Sequence, residues 1–169
     1  VGREINSIYP ERKRHPFKAA AAAVGEAKKA GVKVISYDRL IPNSTALDYY
    51  VTFDSKAVGA LQAQYLVDHA TGKGNPLYLY AGAATDPNSF IFFKGAWEVL
   101  QPRMADGTFV TKNSSEAVAL QDKSSLSHDE MTQIISQVTT KWDASTAKIL
   151  AESDLHVASE SDKGDVFIL

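Results

Sequence analysis

A short run of β-branched and aromatic residues, 32–37, is the feature that most constrains the fold. It follows an alanine-rich segment and Gly31, and it stops abruptly at Asp38 and Arg39. Such a run is typical of a strand buried in a parallel sheet. Open α/β sheets bind ligands beyond the carboxyl ends of their strands, where this pair would stand. A carboxylate beside a rigid guanidinium suits adjacent hydroxyl groups, although a surface ion pair that closes a loop is the alternative.

The rest of the chain alternates between strand and helix patterns. Further strands are predicted at 48–53, 77–82, 108–111 and 166–169. Helices are predicted at 17–30, at 144–155 and in the segments that follow residues 54, 88 and 127. This alternation predicts an α/β fold in which βαβ units build parallel sheets.

Two of these helices carry more detailed expectations. The helix after Asp54 is predicted to bury an apolar side that includes Val58, Leu61, Tyr65 and Leu66, and 72–76 should end it. Ser127 and Glu130 have the spacing of a capping box, which predicts a helix start at that point.

Composition excludes several classes of function. The 169 residues suffice for one domain or two small lobes, and a net charge of -2 argues against general nucleic-acid binding. The chain has no cysteine and its 4 histidines lack metal-ligand spacing, so neither a metal nor a cofactor is predicted. No apolar stretch reaches the length of a membrane span. The basic, proline-broken residues 1–16 predict a mobile tail, and the chain stops within an apparent strand, which predicts a fragment.

Polar side chains recur where predicted strands end. Besides Asp38 and Arg39, they include Asp86 and Asn88 after the third strand and Trp142 just before a helix. Carboxylates and amides bind hydroxyl groups, and a flat indole can cover the C–H face of a sugar ring. A partly buried core position is the alternative for Trp142, whereas helical spacing favours the core for Trp97. No catalytic motif is present.

These residues lie in five segments, 34–41, 49–56, 58–63, 81–88 and 141–147, that together resemble the periplasmic sugar-binding proteins of ABC importers. Xylose-binding proteins look most similar. The resemblance implies a type I periplasmic-binding-protein fold, with three-layer αβα parallel sheets in an incomplete two-lobe architecture. Residues 1–53 would form the end of the first lobe, and 54–169 most of the second lobe, truncated at its C-terminus.

The resemblance also implies a function. The chain would belong to the substrate-binding component of an ABC sugar importer, a non-enzyme that captures a xylose-like pentose or a hexose between two lobes. Its partners would be the sugar and a membrane permease, with neither nucleic acid nor membrane insertion, and it would be exported as a periplasmic protein or a cell-surface lipoprotein. The sugar-binding residues would be Asp38, Arg39, Asp86, Asn88 and Trp142. The alternatives are the effector domain of a sugar-responsive transcription regulator and a carbohydrate-active α/β enzyme.

Overall fold

The computed structural model describes residues 16–41, 44–163 and 167–168. The chain divides into two compact units, one that ends at Thr52 and one that begins at Phe53. The mobile tail predicted for residues 1–16 lies outside the described residues, except for Pro16, at which the first helix begins.

The described part of the first unit contains one helix and a two-stranded parallel sheet. Helix α1 covers Pro16–Lys29, strand β1 covers Ile35–Tyr37 and strand β2 covers Tyr49–Val51. Gly31, with φ +73°, ends the helix by donating to the carbonyl oxygen of Lys28, while the next N–H, of Val32, donates to that of Ala27. This pair of hydrogen bonds is a Schellman motif, and the left-handed residue that it requires explains the glycine.

The described residues leave one face of this sheet uncovered. The parallel register pairs Ile35 with Tyr49 and Tyr37 with Val51, so these four side chains share a face. All four are at least 50% exposed, whereas Ser36, on the opposite face, is buried. The prediction of a buried strand at 32–37 is therefore wrong for this chain. The apolar residues make this strand face suitable for packing against another element, but no described residues cover it.

Asp48 ties the sheet to helix α1. Its Oδ2 accepts from the N–H of Val34 over 2.9 Å, and its Oδ1 accepts from Nζ of Lys28 over 2.7 Å and of Lys33 over 3.2 Å. The hydrogen bond from Lys28, then that from Val34, hold the pKa of this carboxyl well below its usual range. Asp48 thus remains ionised and links the last turn of α1 to the strand.

The second unit follows the predicted alternation of helices and strands up to residue 111. Three helices then follow one another in its described part, and the one at Ser115–Ala119 was not predicted. It comprises helices α2 (Ser55–His69), α3 (Pro87–Ala105), α4 (Ser115–Ala119), α5 (His128–Val138) and α6 (Ala144–Val157), a 3-10 turn (Glu160–Asp162), and strands β3 (Asn75–Tyr78), β4 (Phe109–Thr111) and β5 (Phe167–Ile168). The strand order is β4-β3-β5 and every pairing is parallel, which confirms the predicted fold class. Strand β3 begins two residues before the prediction, and beyond it Ala81 forms an isolated parallel bridge with Thr139.

Several local predictions for the second unit are confirmed. Trp97 is buried in the core, as its helical spacing predicts, with Phe93 and Leu100 beside it on α3. Ser127 and Glu130 form the predicted capping box at the start of α5. Among the described helices, none combines the length and the apolar character needed to cross a membrane.

The buried side of α2 differs from the prediction. Leu61 and Tyr65 are more than 60% exposed, and the residues buried on this helix include Gly59 and Ala63. A Cβ added at Gly59 would lie 2.0 Å from the carbonyl oxygen of Phe92, so α2 and α3 approach backbone to backbone. Leu66 is buried as predicted. The difference at Leu61 and Tyr65 arises because small residues allow the two helices to approach closely, a shape effect that the apolar pattern does not show.

Candidate functional site

The loop after β1 holds Asp38 in an unusual conformation. The N–H of Arg39 donates to the carbonyl oxygen of Tyr37 over 2.9 Å, and Asp38 between them has φ +70°. This three-residue turn is a strained γ-turn. The carbonyl oxygen of Asp38 accepts from the hydroxyls of Tyr50, at 3.3 Å, and Thr52, at 3.0 Å, which fixes the turn to the end of β2.

The side chains of this loop face solvent. Those of Asp38 and Arg39 are 62% and 54% exposed, and Oδ2 of Asp38 lies 3.9 Å from Nε of Arg39. An exposed pair at this distance contributes little to stability. Both charged groups are accessible to a ligand, with the carboxylate accepting and the guanidinium donating.

The loop after β3 places Asp86 at the start of α3. Its Oδ1 accepts from the N–H of Asn88 over 3.0 Å, which caps the helix. Its Oδ2 accepts from Nε1–H of Trp142 over 3.1 Å. Asp86 is buried, with 5% of its surface exposed, and Asn88 is partly buried in the first turn of the helix. The structure thus brings together three of the predicted site residues, all in the second unit.

Trp142 lies in a tight turn before α6. The N–H of Asp143 donates to the carbonyl oxygen of Thr140, and the two residues between them, Lys141 and Trp142, have φ +57° and +58°. Two consecutive positive φ values are typical of a type I′ turn, in which Gly, Asn and Asp dominate. Left-handed residues of other types cost about 1–2 kcal/mol each. The surrounding structure must therefore enforce this turn.

Two threonines fix the turn to the end of the sheet. Oγ1 of Thr139 donates to the carbonyl oxygen of Gly82 over 2.7 Å, and Oγ1 of Thr140 donates to that of Ala81 over 2.9 Å. The backbone N–H of Thr140 also donates to Ala81. These bonds hold Trp142 beside the segment that follows β3. Its side chain packs edge to face with Phe92 at 6.4 Å between ring centroids, and 49% of the residue stays exposed.

A pocket of about 330 Å³ adjoins the indole. Its walls come from α2, α3 and the segments after β3 and α5, and its lining includes Gln62, Tyr80, Gly82, Phe92 and Trp142. Such a volume is typical of small-molecule sites. The hydroxyl of Tyr80 donates to Oδ2 of Asp154 over 2.8 Å. Burial, and then the hydrogen bond to Asp154, raise the pKa of Tyr80 well above its usual value, so the hydroxyl stays a donor.

Gly82 and Phe92 have no role in the sequence-based prediction of the site. Gly82 lies within segment 81–88, of which only Asp86 and Asn88 are predicted site residues. Phe92 stands next to the buried Phe93 and therefore falls off the core stripe of α3. A large aromatic residue adjacent to such a stripe is the signal that could have identified it. In the described part of the chain, no group of three or more His, Asp or Glu residues could hold a metal ion.

A parallel α/β fold with accessible polar and aromatic side chains beyond its strands defines a ligand-binding class of protein. The chain belongs to the periplasmic binding protein domain family, whose model matches residues 16–154. This membership confirms the resemblance and the fold class expected from the sequence.

Relatives of this chain include periplasmic proteins that are named for binding sugars. The multiple sugar-binding periplasmic receptor ChvE of Rhizobium radiobacter is 39% identical over 127 residues, which are 73% of this chain and 31% of that protein. The D-xylose-binding periplasmic protein of Haemophilus influenzae is 43% identical over 93 residues, 55% of this chain and 27% of that protein. The matches thus cover less than a third of the length of these relatives.

Solved structures extend the comparison. A carbohydrate transporter solute binding protein from Chloroflexus aurantiacus, in complex with D-glucose, is 71% identical with a TM-score of 0.83, and the match covers 89% of this chain and 44% of that one. An ABC transporter solute binding protein from Clostridium phytofermentans, with bound β-D-glucose, is 31% identical with a TM-score of 0.64, over 88% and 43% of the two chains.

Proposed function

We propose that this chain is part of the substrate-binding component of an ABC sugar importer and that it captures a monosaccharide, a xylose-like pentose or a hexose. The observation that carries the proposal is Trp142, an aromatic ring half exposed on a strained turn that the fold holds in place. Strain of this kind concentrates at ligand sites. The kinship with sugar receptors, two of them solved with glucose, agrees with it.

The proposed roles follow from the chemistry of the exposed groups. The indole covers an apolar C–H face of the sugar ring, and polar groups at the loops take its hydroxyls. Arg39 donates and Asp38 accepts from one loop. In the other loop Asn88 contacts the sugar, and Asp86 contributes through the Trp142 indole that it holds. Residues 1–53 form the end of one lobe and residues 54–169 most of the second, and the division into two compact units after Thr52 lies one residue from this proposed boundary.

The proposal extends to partners and location. A receptor of this kind delivers its sugar unchanged to a membrane permease, so it carries out no chemical step. It works in the periplasm or as a lipoprotein on the cell surface, in keeping with the periplasmic names of its relatives.

A chimeric receptor tests the proposal, with this chain in place of the matching 44% of the Chloroflexus aurantiacus protein. Calorimetric titrations with D-xylose, D-glucose, D-galactose and D-ribose should give saturable binding of at least one of them. Circular dichroism and thermal melting check that the chimera folds. If the chimera does not fold, ligand-observed NMR on the 169-residue chain takes its place. A folded protein that binds none of the four would overturn the proposal.

A further inference from the structure

The indole of Trp142 is constrained at two points by the segment that follows β3. A Cβ added at Gly82 would lie 2.1 Å from ring atoms Cε2 and Cζ2, so the six-membered ring occupies the space of a side chain at that position. At the ring nitrogen bonded to Cε2, Nε1–H donates to Oδ2 of Asp86. Two contacts at different atoms of a rigid planar group restrict both of its side-chain torsions.

Asp86 is badly placed to bind a ligand itself. It is 5% exposed, one of its oxygens caps α3 and the other accepts from the indole. The exposed half of the indole, by contrast, is available. An effect of Asp86 on ligand binding would therefore act through the ring.

We propose that Gly82 and Asp86 form a seat that fixes the orientation of the Trp142 indole, with Asp86 as a positioning residue rather than a direct ligand contact. The seat gives a reason for the glycine, since any side chain at residue 82 would push the ring away. A ring held before the ligand arrives loses less conformational entropy on binding. The effect of the seat on ligand binding rests on the proposed function, whereas the geometry of the seat does not.

The seat can be observed without a ligand. The 169-residue chain has 2 tryptophans, so a proton–nitrogen NMR spectrum shows two indole N–H signals, and Trp142→Phe identifies that of Trp142. Asp86→Ser retains a helix-capping residue but is too short to reach the indole. We expect exchange of the Trp142 indole proton with water to accelerate about two- to tenfold, the range that corresponds to one hydrogen bond of ordinary net strength.

Matched variants separate the seat from helix capping. Asp54 caps α2 by accepting from the N–H of Ala57. Asp54→Ser therefore makes the same substitution at a helix cap that does not contact Trp142, and it should leave the Trp142 signal unchanged. Asp86→Asn keeps only one acceptor oxygen, so with the helix cap retained its amide nitrogen faces the indole N–H, and exchange should be about as fast as in Asp86→Ser. Gly82→Ala should shift the Trp142 signal, whereas Gly25→Ala, with no atom within 4 Å of the added Cβ, should not. The buried Trp97 reports on the fold in every variant.

Unchanged exchange and an unshifted signal in Asp86→Ser would overturn the seat, whatever the chimera binds. If the seat is correct, Asp86→Ser in the chimeric receptor should weaken monosaccharide binding about two- to tenfold, and the effect should largely vanish in a Trp142→Phe background. Equal losses in both backgrounds would mean that Asp86 acts independently of the ring. A chimera that binds no sugar counts against the proposed function alone, because the NMR measurement stands by itself.

Discussion

At the residue scale, backbone strain and the candidate binding residues coincide. Among the described residues, the non-glycine positions with positive φ are Asp38, Lys141 and Trp142. Each lies in a loop after a strand or at a helix start, and hydrogen bonds to neighbouring segments hold both loops. Such conformations persist only where the surroundings enforce them, and they cluster at ligand sites. The two loops therefore stand out from the many ordinary turns of the chain.

Arg39 provides a test at this scale. In the chimeric receptor, Arg39→Ala should weaken binding of its preferred sugar by about 1–3 kcal/mol, because the sugar oxygens and Asp38 lose a charged donor. Calorimetry measures the affinity. Stability should change little, since the guanidinium is 54% exposed.

Arg103→Ala is the matched control for Arg39. It removes a similarly exposed arginine from the last turn of α3, where it pairs with Asp106 over 3.5 Å, and should leave sugar affinity unchanged. Equal affinities for the Arg39→Ala variant and the parent chimera would remove Arg39 from the site.

At the element scale, the α2–α3 pair organises the second unit. Both helices contribute a glycine to the contact: a Cβ at Gly95 would lie 2.0 Å from the carbonyl oxygen of Lys56, which mirrors the approach of Gly59 to Phe92. This close contact brings Gln62 of α2 and Phe92 of α3 to the wall of the same pocket. The shape of the pocket thus depends on two positions without side chains.

Gly59→Ala should destabilise the chain by about 1–3 kcal/mol, because the added methyl group forces two backbones apart. Urea unfolding followed by circular dichroism measures the loss. Gly25→Ala in α1 is the control: its Cβ meets nothing within 4 Å, so helix propensity should stabilise the chain by about 0.5–1 kcal/mol. A neutral Gly59→Ala variant would show that the helices separate at little cost.

The capping box of α5 predicts a pH dependence. The hydrogen bond from Lys123, then those from Ser127, lower the pKa of Glu130 from 4.5 to about 2. Because the folded-state pKa is the lower one, the ionised carboxylate stabilises the fold above pH 4.5, and this stabilisation is lost as the pH falls towards 2.

Glu130→Gln should therefore lower the urea midpoint at pH 7, and its difference from the parent chain should shrink as the pH falls through that window. Glutamine keeps the capping hydrogen bond from the N–H of Ser127, so the variant loses the charge and its hydrogen bond with Lys123. Glu152→Gln, which removes an exposed partner of Lys148, should have little effect at any pH. A difference that stays constant from pH 7 to pH 2 would refute this account.

At the scale of the whole molecule, this chain matches 44% of the Chloroflexus aurantiacus receptor. Small-molecule sites bury about 70–90% of their ligand, and we propose that the other part of the chimeric receptor supplies the remaining sugar contacts. We therefore expect the 169-residue chain to bind its sugar at least about thirtyfold more weakly than the chimeric receptor, which corresponds to two or more lost hydrogen bonds. Parallel calorimetric titrations measure both affinities, and equal values would show that the chain alone holds a complete site.

The sequence by itself determined the order of the strands and of the helices other than α4, the parallel α/β class and most helix starts, because these depend on local patterns. Apolar periodicity, capping residues such as Ser127 and the glycine after α1 act within a few residues of the chain. The resemblance to sugar receptors also came from the sequence, since it rests on short contiguous segments.

Only the tertiary structure decided which surfaces are covered and which side chains meet. The run at 32–37 has the pattern of a buried strand, but burial depends on neighbours that the run does not encode. No described residues cover its sheet face. On α2, Leu61 and Tyr65 stay exposed and Gly59 contacts α3 instead, because close approach of two backbones depends on shape as well as hydrophobicity. Likewise, Asp86 and Trp142 are 56 residues apart in the chain, and folding alone places the carboxylate against the indole.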